Sequence, residues 1–459
     1  MKTKTAIHHY FLIIVVAILS ACEPSTMPPR QSSEVNITNP TQTYIPVASP
    51  TTIQPTANLA PEINNYLPIC TFPLQQTVMV ESPPEKYTFA EPKVVFTDEL
   101  QPEIVDWLPD SQNAIIMPKT LIDLGINGYQ ETIELFNPET QKIQIYAIRR
   151  DSEGMPAWNP ELNAIVYPNT KIIVNDTDIL KSQFFSQLKI SYGNPDETQL
   201  LVDDLLAHSI TVKPDGSQII YYKNDEELVN KFFSRMIFDG SLQAEKLLSI
   251  NLAQDEIYSV NTYETVWRLG TSQMFFYSNV SPTDQAILFD INYGQPPCTI
   301  SFNGWVYFAR WSPNGRYLAV IKSPSSHTSL WASYNLSILD GLTGNFYQID
   351  SKKMVPEEMK ECCRHIVSNF SWAPDNRHLI VMGTADFAGT GEHNPINKLY
   401  LVDSISGDVD DLFPSYKFNI AWKGTGLAWS PDGLKLLADC PTEEQGQLCL
   451  FAVKSTAQP

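Results

Sequence analysis

One phrase recurs along this chain. It is an apolar strand ending in Trp, then Pro-Asp/Asn-Gly or a relative of it, then a second apolar strand. The clearest copies are ARWSPNGRYLAVI (309–321), FSWAPDNRHLIVM (370–382) and LAWSPDGLKLLAD (427–439). Weaker copies are VDWLPDSQNAIIM (105–117), PAWNPELNAIVYP (156–168) and SITVKPDGSQIIYY (209–222), and TVWRLGTSQMFFY (265–277) lacks the Pro. The anchor positions are Trp107, Trp158, Val212, Trp267, Trp311, Trp372 and Trp429, spaced 51, 54, 55, 44, 61 and 57 residues apart. Spacing this regular is the mark of a repeat architecture.

The phrase has a physical reading. Pro presets φ for the first turn position, Asp or Asn tolerates the next, and Gly accepts positive φ. A tight hairpin results, and Trp before the turn can fill the wedge between neighbouring sheets. A second turn signal recurs downstream of the anchors, at 137–140, 239–241, 340–344 and 403–407. Two hairpins per repeat mean four strands, and four-stranded repeats of this length are the blades of a β-propeller. The expected fold is therefore all-β: a propeller of seven four-stranded blades, with six or eight as alternatives. The last repeat has room for three strands, so its fourth is expected from before the first anchor, around 87–97. Residues 184–206 read as a helical or irregular insertion in the second repeat.

Trp429-Ser430-Pro431-Asp432-Gly433 matches the W-S-P-D-G repeat of the TolB C-terminal propeller and its relatives in full. The phrases at Trp311 and Trp372 differ from it by one or two residues. The chain thus resembles TolB-like propellers at repeat level over roughly 85–455. That resemblance implies a fold more than an activity. TolB also carries an N-terminal α/β domain, whereas residues 23–85 here are too short and too Pro-rich for one.

The first residues carry an address. Lys2 and Lys4 precede an apolar run of nine, FLIIVVAIL (11–19), too short to span a bilayer but suited to a signal peptide. Leu19-Ser20-Ala21-Cys22 follows and resembles the lipobox of bacterial lipoproteins. The resemblance implies cleavage before Cys22 and acylation of Cys22, anchoring the protein in a lipid bilayer of the bacterial cell envelope, on its extracytoplasmic side. An ordinary signal peptide with a chance Cys is the alternative. Residues 23–61 hold eight Pro, seven Thr and four Ser, a composition that cannot offset its ordering entropy. The expected organisation is a signal peptide at 1–21, the lipidated Cys and a flexible tether at 22–61, and the propeller at 62–459.

The formal charge is −20, from 51 Asp+Glu against 31 Lys+Arg, which excludes nucleic acid as a partner because phosphate contacts need clustered cations. Six Cys remain beside Cys22, an even number in a compartment that permits oxidation. Cys440 and Cys449 fall at facing ends of a hairpin and are expected to form a disulfide. Cys70, Cys298, Cys362 and Cys363 leave their connectivity open. Cys362, Cys363 and His365 are the only dense group of metal-ligand types, but adjacent cysteines aim poorly at one ion, so disulfides and a surface His are the expectation and no metal is. The acids at 203–204 and 408–411 read as solvated turns or a calcium site. No zinc-protease, nucleophile-elbow or phosphate-loop motif is present, and no catalytic residue or cofactor is assigned. Two inserts between second and third strands, 322–335 and 384–397, carry His327, Trp331, Phe387, Glu392 and His393. As loops of consecutive blades they are expected to emerge together on one face and to bind another envelope protein or a surface polymer, or else to pack on each other as filler. The expected function is a membrane-anchored binding or scaffold protein. An enzyme acting on glycans through carboxylates near the central channel is the rival, and a structural surface coat the third possibility.

Overall fold

The hairpin phrases organise the whole molecule. In the computed structural model, each begins a blade: its Trp, or Val212 in the third, lies at the end of the innermost strand and its turn leads into the second. The structure describes residues 68–74, 85–123, 127–150, 154–173, 183–223, 231–248, 263–278, 285–292, 297–302, 304–323, 334–360, 364–386, 396–418, 426–441 and 446–457. All of them belong to one compact unit, Ala60–Pro459.

Seven antiparallel blades follow one another along the chain, as the repeats predict. The first comprises Glu103–Trp107, Ala114–Met117, Asn127–Asn137 and Lys142–Arg150, with Lys119–Asp123 added beside the third strand. The second uses Ala157–Asn159, Ala164–Ile173, Gln183–Ser191 and the front of Thr198–Val212. The back of Thr198–Val212 opens the third, which continues through Gln218–Lys223, Lys231–Phe238 and Ser241–Leu248. The fourth holds Tyr263–Trp267, Gln273–Ser278, Gln285–Asp290 and Cys298–Ser301. The fifth runs from Trp305–Trp311 through Tyr317–Ser323 and Asn335–Asp340 to Phe346–Ile349. The sixth runs from Arg364–Trp372 through His378–Asp386 and Ile396–Asp403 to Val409–Asp411.

The seventh blade closes the ring. Leu427–Trp429, Lys435–Asp439 and Gln447–Ala457 supply three strands, and the N-terminal segment supplies the fourth. Glu85–Phe89 pairs from Glu85↔Ala457 to Phe89↔Val453, and Lys93–Thr97 continues along the same edge from Lys93↔Leu450 to Thr97↔Gln447. The interruption falls at Pro92, which has no N–H to offer the ladder. Residues 85–97 therefore act as one broken strand, and they cover an edge that an open ring would expose.

Residues 184–206 correct the sequence expectation. They form strands, not a helical or irregular insertion. Leu188 and Ile190 are buried with Lys189 between them, the alternation of a half-buried strand. The following stretch, TQLLVDDLLAHSITV, contains no Gly or Pro. Nothing stops it, so a single strand of 15 residues crosses from the second blade to the third, with its register shifting between Leu205 and Ile210.

Apolar residues fill the seams between blades. Trp429, Leu436, Phe451, Ile380 and Met382 occupy the seam of the sixth and seventh, and Trp107, Ile116, Phe136, Leu437 and Leu448 that of the seventh and first. Tyr87 of the closing strand stacks edge-on against Trp429 at 4.8 Å. Burial of side chains this size contributes about 1.5–3 kcal/mol each. Hydrogen bonds set the blades in register. The Trp107 indole donates across the ring closure to Ala428 O at 2.9 Å, and Trp372 makes the same bond to Arg310 O at 3.1 Å. In both pairs the acceptor precedes the neighbouring blade's anchor.

Candidate binding face and channel

The five candidate loop residues, His327, Trp331, Phe387, Glu392 and His393, lie outside the described residues. The feet of both loops are described. The described ends leave second strands and enter third strands of adjacent blades, on the side opposite the Trp turns. Tyr334, at the foot in the fifth blade, bridges to Ile366 of the sixth: its N–H donates to His365 O at 3.1 Å, and Val367 N donates to its carbonyl at 2.9 Å. Its ring meets Tyr307 at 5.2 Å, and burial raises the Tyr307 phenol above its ordinary value. In the sixth blade, Thr384 Oγ1 donates to Asn397 Oδ1 at 2.7 Å, while Asn397 Nδ2 donates to Phe418 O at 2.9 Å. Each foot is thus tied to a neighbouring element before its loop departs.

His365 corrects a second expectation. It is not a surface residue: it is 5% exposed, with Nε2 3.2 Å from Met359 O. Its strand starts against the two short 3-10 turns at Ser351–Met354 and Glu357–Met359, which cover it. Cys362 and Cys363 lie outside the described residues, as does Cys22.

The channel carries charges that the sequence reading passed over. Asp106 and Arg310 each directly precede an anchor Trp, on the innermost strands of the first and fifth blades. Both side chains are open to water. Enclosure by the surrounding ring raises the Asp106 carboxyl, and the Arg310 guanidinium pulls it back down. Water reaching the carboxyl damps the rise. Nearby, Tyr277 Oη donates to Glu264 Oε2 at 2.5 Å and lies 3.3 Å from Ala309 N, joining the fourth and fifth blades. Charge at the position before the anchor was the available signal: the other copies carry Ala157, Thr211, Val266, Ser371 and Ala428 there.

Two disulfides are described. Cys440 and Cys449 are joined across the seventh-blade hairpin, with Cα atoms 4.9 Å apart. Cys70 is joined to Cys298, 228 residues away on the outer strand of the fourth blade. Backbone bonds extend this second link, from Cys70 N to Thr299 O and from Thr299 N to Pro68 O, at 2.9 and 2.8 Å. Of the acidic groups, Asp203 accepts from Gln187 Nε2 at 2.8 Å within a strand, and Asp411 pairs with Lys398 at 3.5 Å. Asp203, Asp410 and Asp411 are solvated, as expected, but sit on strands and not in turns. Among the described residues no cluster of three or more His, Cys, Asp or Glu could hold a metal ion.

No protein-family model matches the chain, and no curated protein matches it. Among solved structures it is similar to hydrazine synthase from Kuenenia stuttgartiensis, at 13% identity and a TM-score of 0.43, covering 80% of this chain and 97% of that one. It is also similar to a protein described as TolB from Agrobacterium tumefaciens, at 14% identity and a TM-score of 0.38, covering 70% of this chain and 98% of that one. Similarity this distant transfers no activity. The propeller itself rests on the strand pairing of this chain.

Proposed function

We propose that the protein is a lipid-anchored binding module of the bacterial envelope. Its propeller presents the loop face of the fifth and sixth blades to another envelope protein or a surface polymer. The observation that carries this reading is the pair of loop feet on adjacent blades, one bonded to the sixth blade through Tyr334 and His365 and the other held within its own blade by Asn397 and Phe418. A rigid ring carrying adjacent, sequence-divergent loops is the usual arrangement of a recognition surface. Trp331 and Phe387 supply the aromatic content that interfaces favour. The anchor reading rests on the lipobox-like sequence at Cys22, and the tether on the composition of 23–61.

Two experiments test the parts separately. Palmitate labelling of the wild type that disappears in Cys22→Ser supports the anchor, and an unlabelled wild type removes it. Combined Trp331→Ala and Phe387→Ala substitutions are expected to abolish capture of envelope partners and glycans while leaving thermal unfolding unchanged. Unchanged capture would discard the loop face.

A further inference from the structure

The outer strand of the first blade has an unusual face. Lys142–Arg150 is the outermost strand there, and among the described residues only one of its edges pairs, with Asn127–Asn137. Ile143, Ile145 and Ile148 on it are 49%, 40% and 48% exposed. The register sets them opposite Phe136, Glu134 and Thr132, so all six side chains share one face.

Glu134 is the chemical anomaly in that face. It is 7% exposed, yet only one of its carboxylate oxygens is engaged: Oε1 accepts from Thr132 Oγ1 at 2.9 Å, and buried Oε2 has no partner. Desolvation raises its carboxyl, and the charge of nearby Asp98 adds to the rise. A buried acceptor without a donor costs about 1–3 kcal/mol. Exposed isoleucines on an unpaired edge are what native sheets ordinarily avoid. A single occupant would relieve both.

We propose that this edge is a second docking site, independent of the loop face, for an extended segment of a partner protein that carries a lysine or arginine among apolar residues. The segment adds as a strand beside Lys142–Arg150, which supplies main-chain hydrogen bonds. Its apolar side chains cover the three isoleucines. Strands lie about 4.8 Å apart, so a cross-strand partner of Ile145 sits about 10 Å from Glu134, a span that a long cationic side chain and a glutamate close together. The net charge of −20 favours a basic segment over an acidic one.

The test uses fluorescence anisotropy with a labelled synthetic peptide of alternating Val and Thr bearing one central Arg, and a control peptide with Gln in its place. The wild type is expected to bind the Arg peptide at least about tenfold more tightly than the Gln peptide, the range of one charged hydrogen bond. Glu134→Gln should erase that preference while keeping or raising the melting temperature, which separates lost recognition from lost folding. Ile145→Arg places a guanidinium beside Glu134 and should block the peptide. Equal binding of both peptides, or binding of neither, overturns the proposal. So does concentration-dependent dimerisation of the wild type that Ile145→Arg abolishes, because the edge would then serve a second copy of the chain.

Discussion

The residue after Asp or Asn in each inner turn decides whether the turn can form. In all seven blades it, or its nearest equivalent, has positive φ: Ser111, Asn163, Gly216, Gly270, Gly315, Asn376 and Gly433, between 48° and 79°. Only four of these are Gly, and the Ser and Asn copies explain why the weaker phrases still fold alike. The Asp or Asn does more than tolerate its conformation. Asp110, Asp215, Asn314, Asp375 and Asp432 each accept the N–H two residues on, at 2.8 to 3.0 Å. Gly315 also sits against the fourth blade, where an added Cβ would meet Leu269 O at 2.6 Å. Gly315→Ala is therefore expected to cost about 1–2 kcal/mol or more, read as a lower melting temperature, while Asn376→Gly relieves the φ but removes the bond that Asn376 Oδ1 accepts from Asn314 N at 2.6 Å, for a net loss of about 1 kcal/mol. Asp439 makes the opposite prediction. It is fully buried beside Cys440, accepts from Gln101 Nε2 at 2.6 Å, and leaves Oδ2 unpartnered. Burial holds its carboxyl well above the usual value, so the folded state binds this proton more tightly than the unfolded chain. Stability then falls as pH rises past the unfolded value near 4. Asp439→Asn should raise the melting temperature at pH 7 to 8, with the gain shrinking toward pH 4.

Single elements are held by contacts that join distant parts of one blade. Arg377, just after the sixth-blade turn, grips Asp403 at the end of the third strand through Nε at 2.9 Å and Nη2 at 2.6 Å. Arg316 and Asp340 repeat the pair in the fifth blade, with Nη2 3.0 Å from Oδ2. Desolvation opposes ionisation of Asp403, but the guanidinium and two backbone N–H groups hold its carboxyl down at about 2. Because this lies below the unfolded value near 4, the ionised carboxyl with its guanidinium and N–H partners stabilises the fold by about 1 kcal/mol above that pH once solvent screening of a half-buried group is counted, and the contribution is lost as pH falls from about 4 to about 2. Arg377→Ala should lower stability at neutral pH and flatten the acid limb of a pH–stability profile over that window. Between blades, Trp107→Phe keeps an aromatic side chain but deletes the bond to Ala428 O and part of the buried ring area; a loss of about 1 kcal/mol or more in chemical denaturation is expected. The turn that begins each blade was legible because its residue types are rare and fixed in spacing. The Arg–Asp pairs were not, since each joins residues more than twenty positions apart whose proximity only the strand register creates. The strand at Thr198–Val212 was missed for a related reason: without Gly or Pro, no boundary was written in it.

The unit Ala60–Pro459 is a ring closed by residues 85–97. That closure was legible from a shortfall of one strand in the last repeat. The link from Cys70 to Cys298 was not, because six cysteines allow many pairings and no local pattern selects one. Its place matters for any load applied at the N-terminal side. The segment at 68–74 is fixed to the fourth blade before the chain reaches the closing strand, and Leu74 N extends the contact to Gly341 O at 2.9 Å in the fifth. Tension arriving from the N-terminal side is then borne by the disulfide and not by the pairing of residues 85–97. Cys70→Ser with Cys298→Ser should lower stability by about 2–4 kcal/mol and, under force applied at the N-terminus, let the closing strand peel first. The binding reading is tested most directly by photo-crosslinking in the native envelope. A photoreactive residue at position 331 or 387 is compared with one at 405, in the exposed turn on the opposite side of the sixth blade. The account predicts a discrete crosslinked partner from 331 and 387 and none from 405. Crosslinks from 405 alone, or no specific crosslink from either loop, would contradict it.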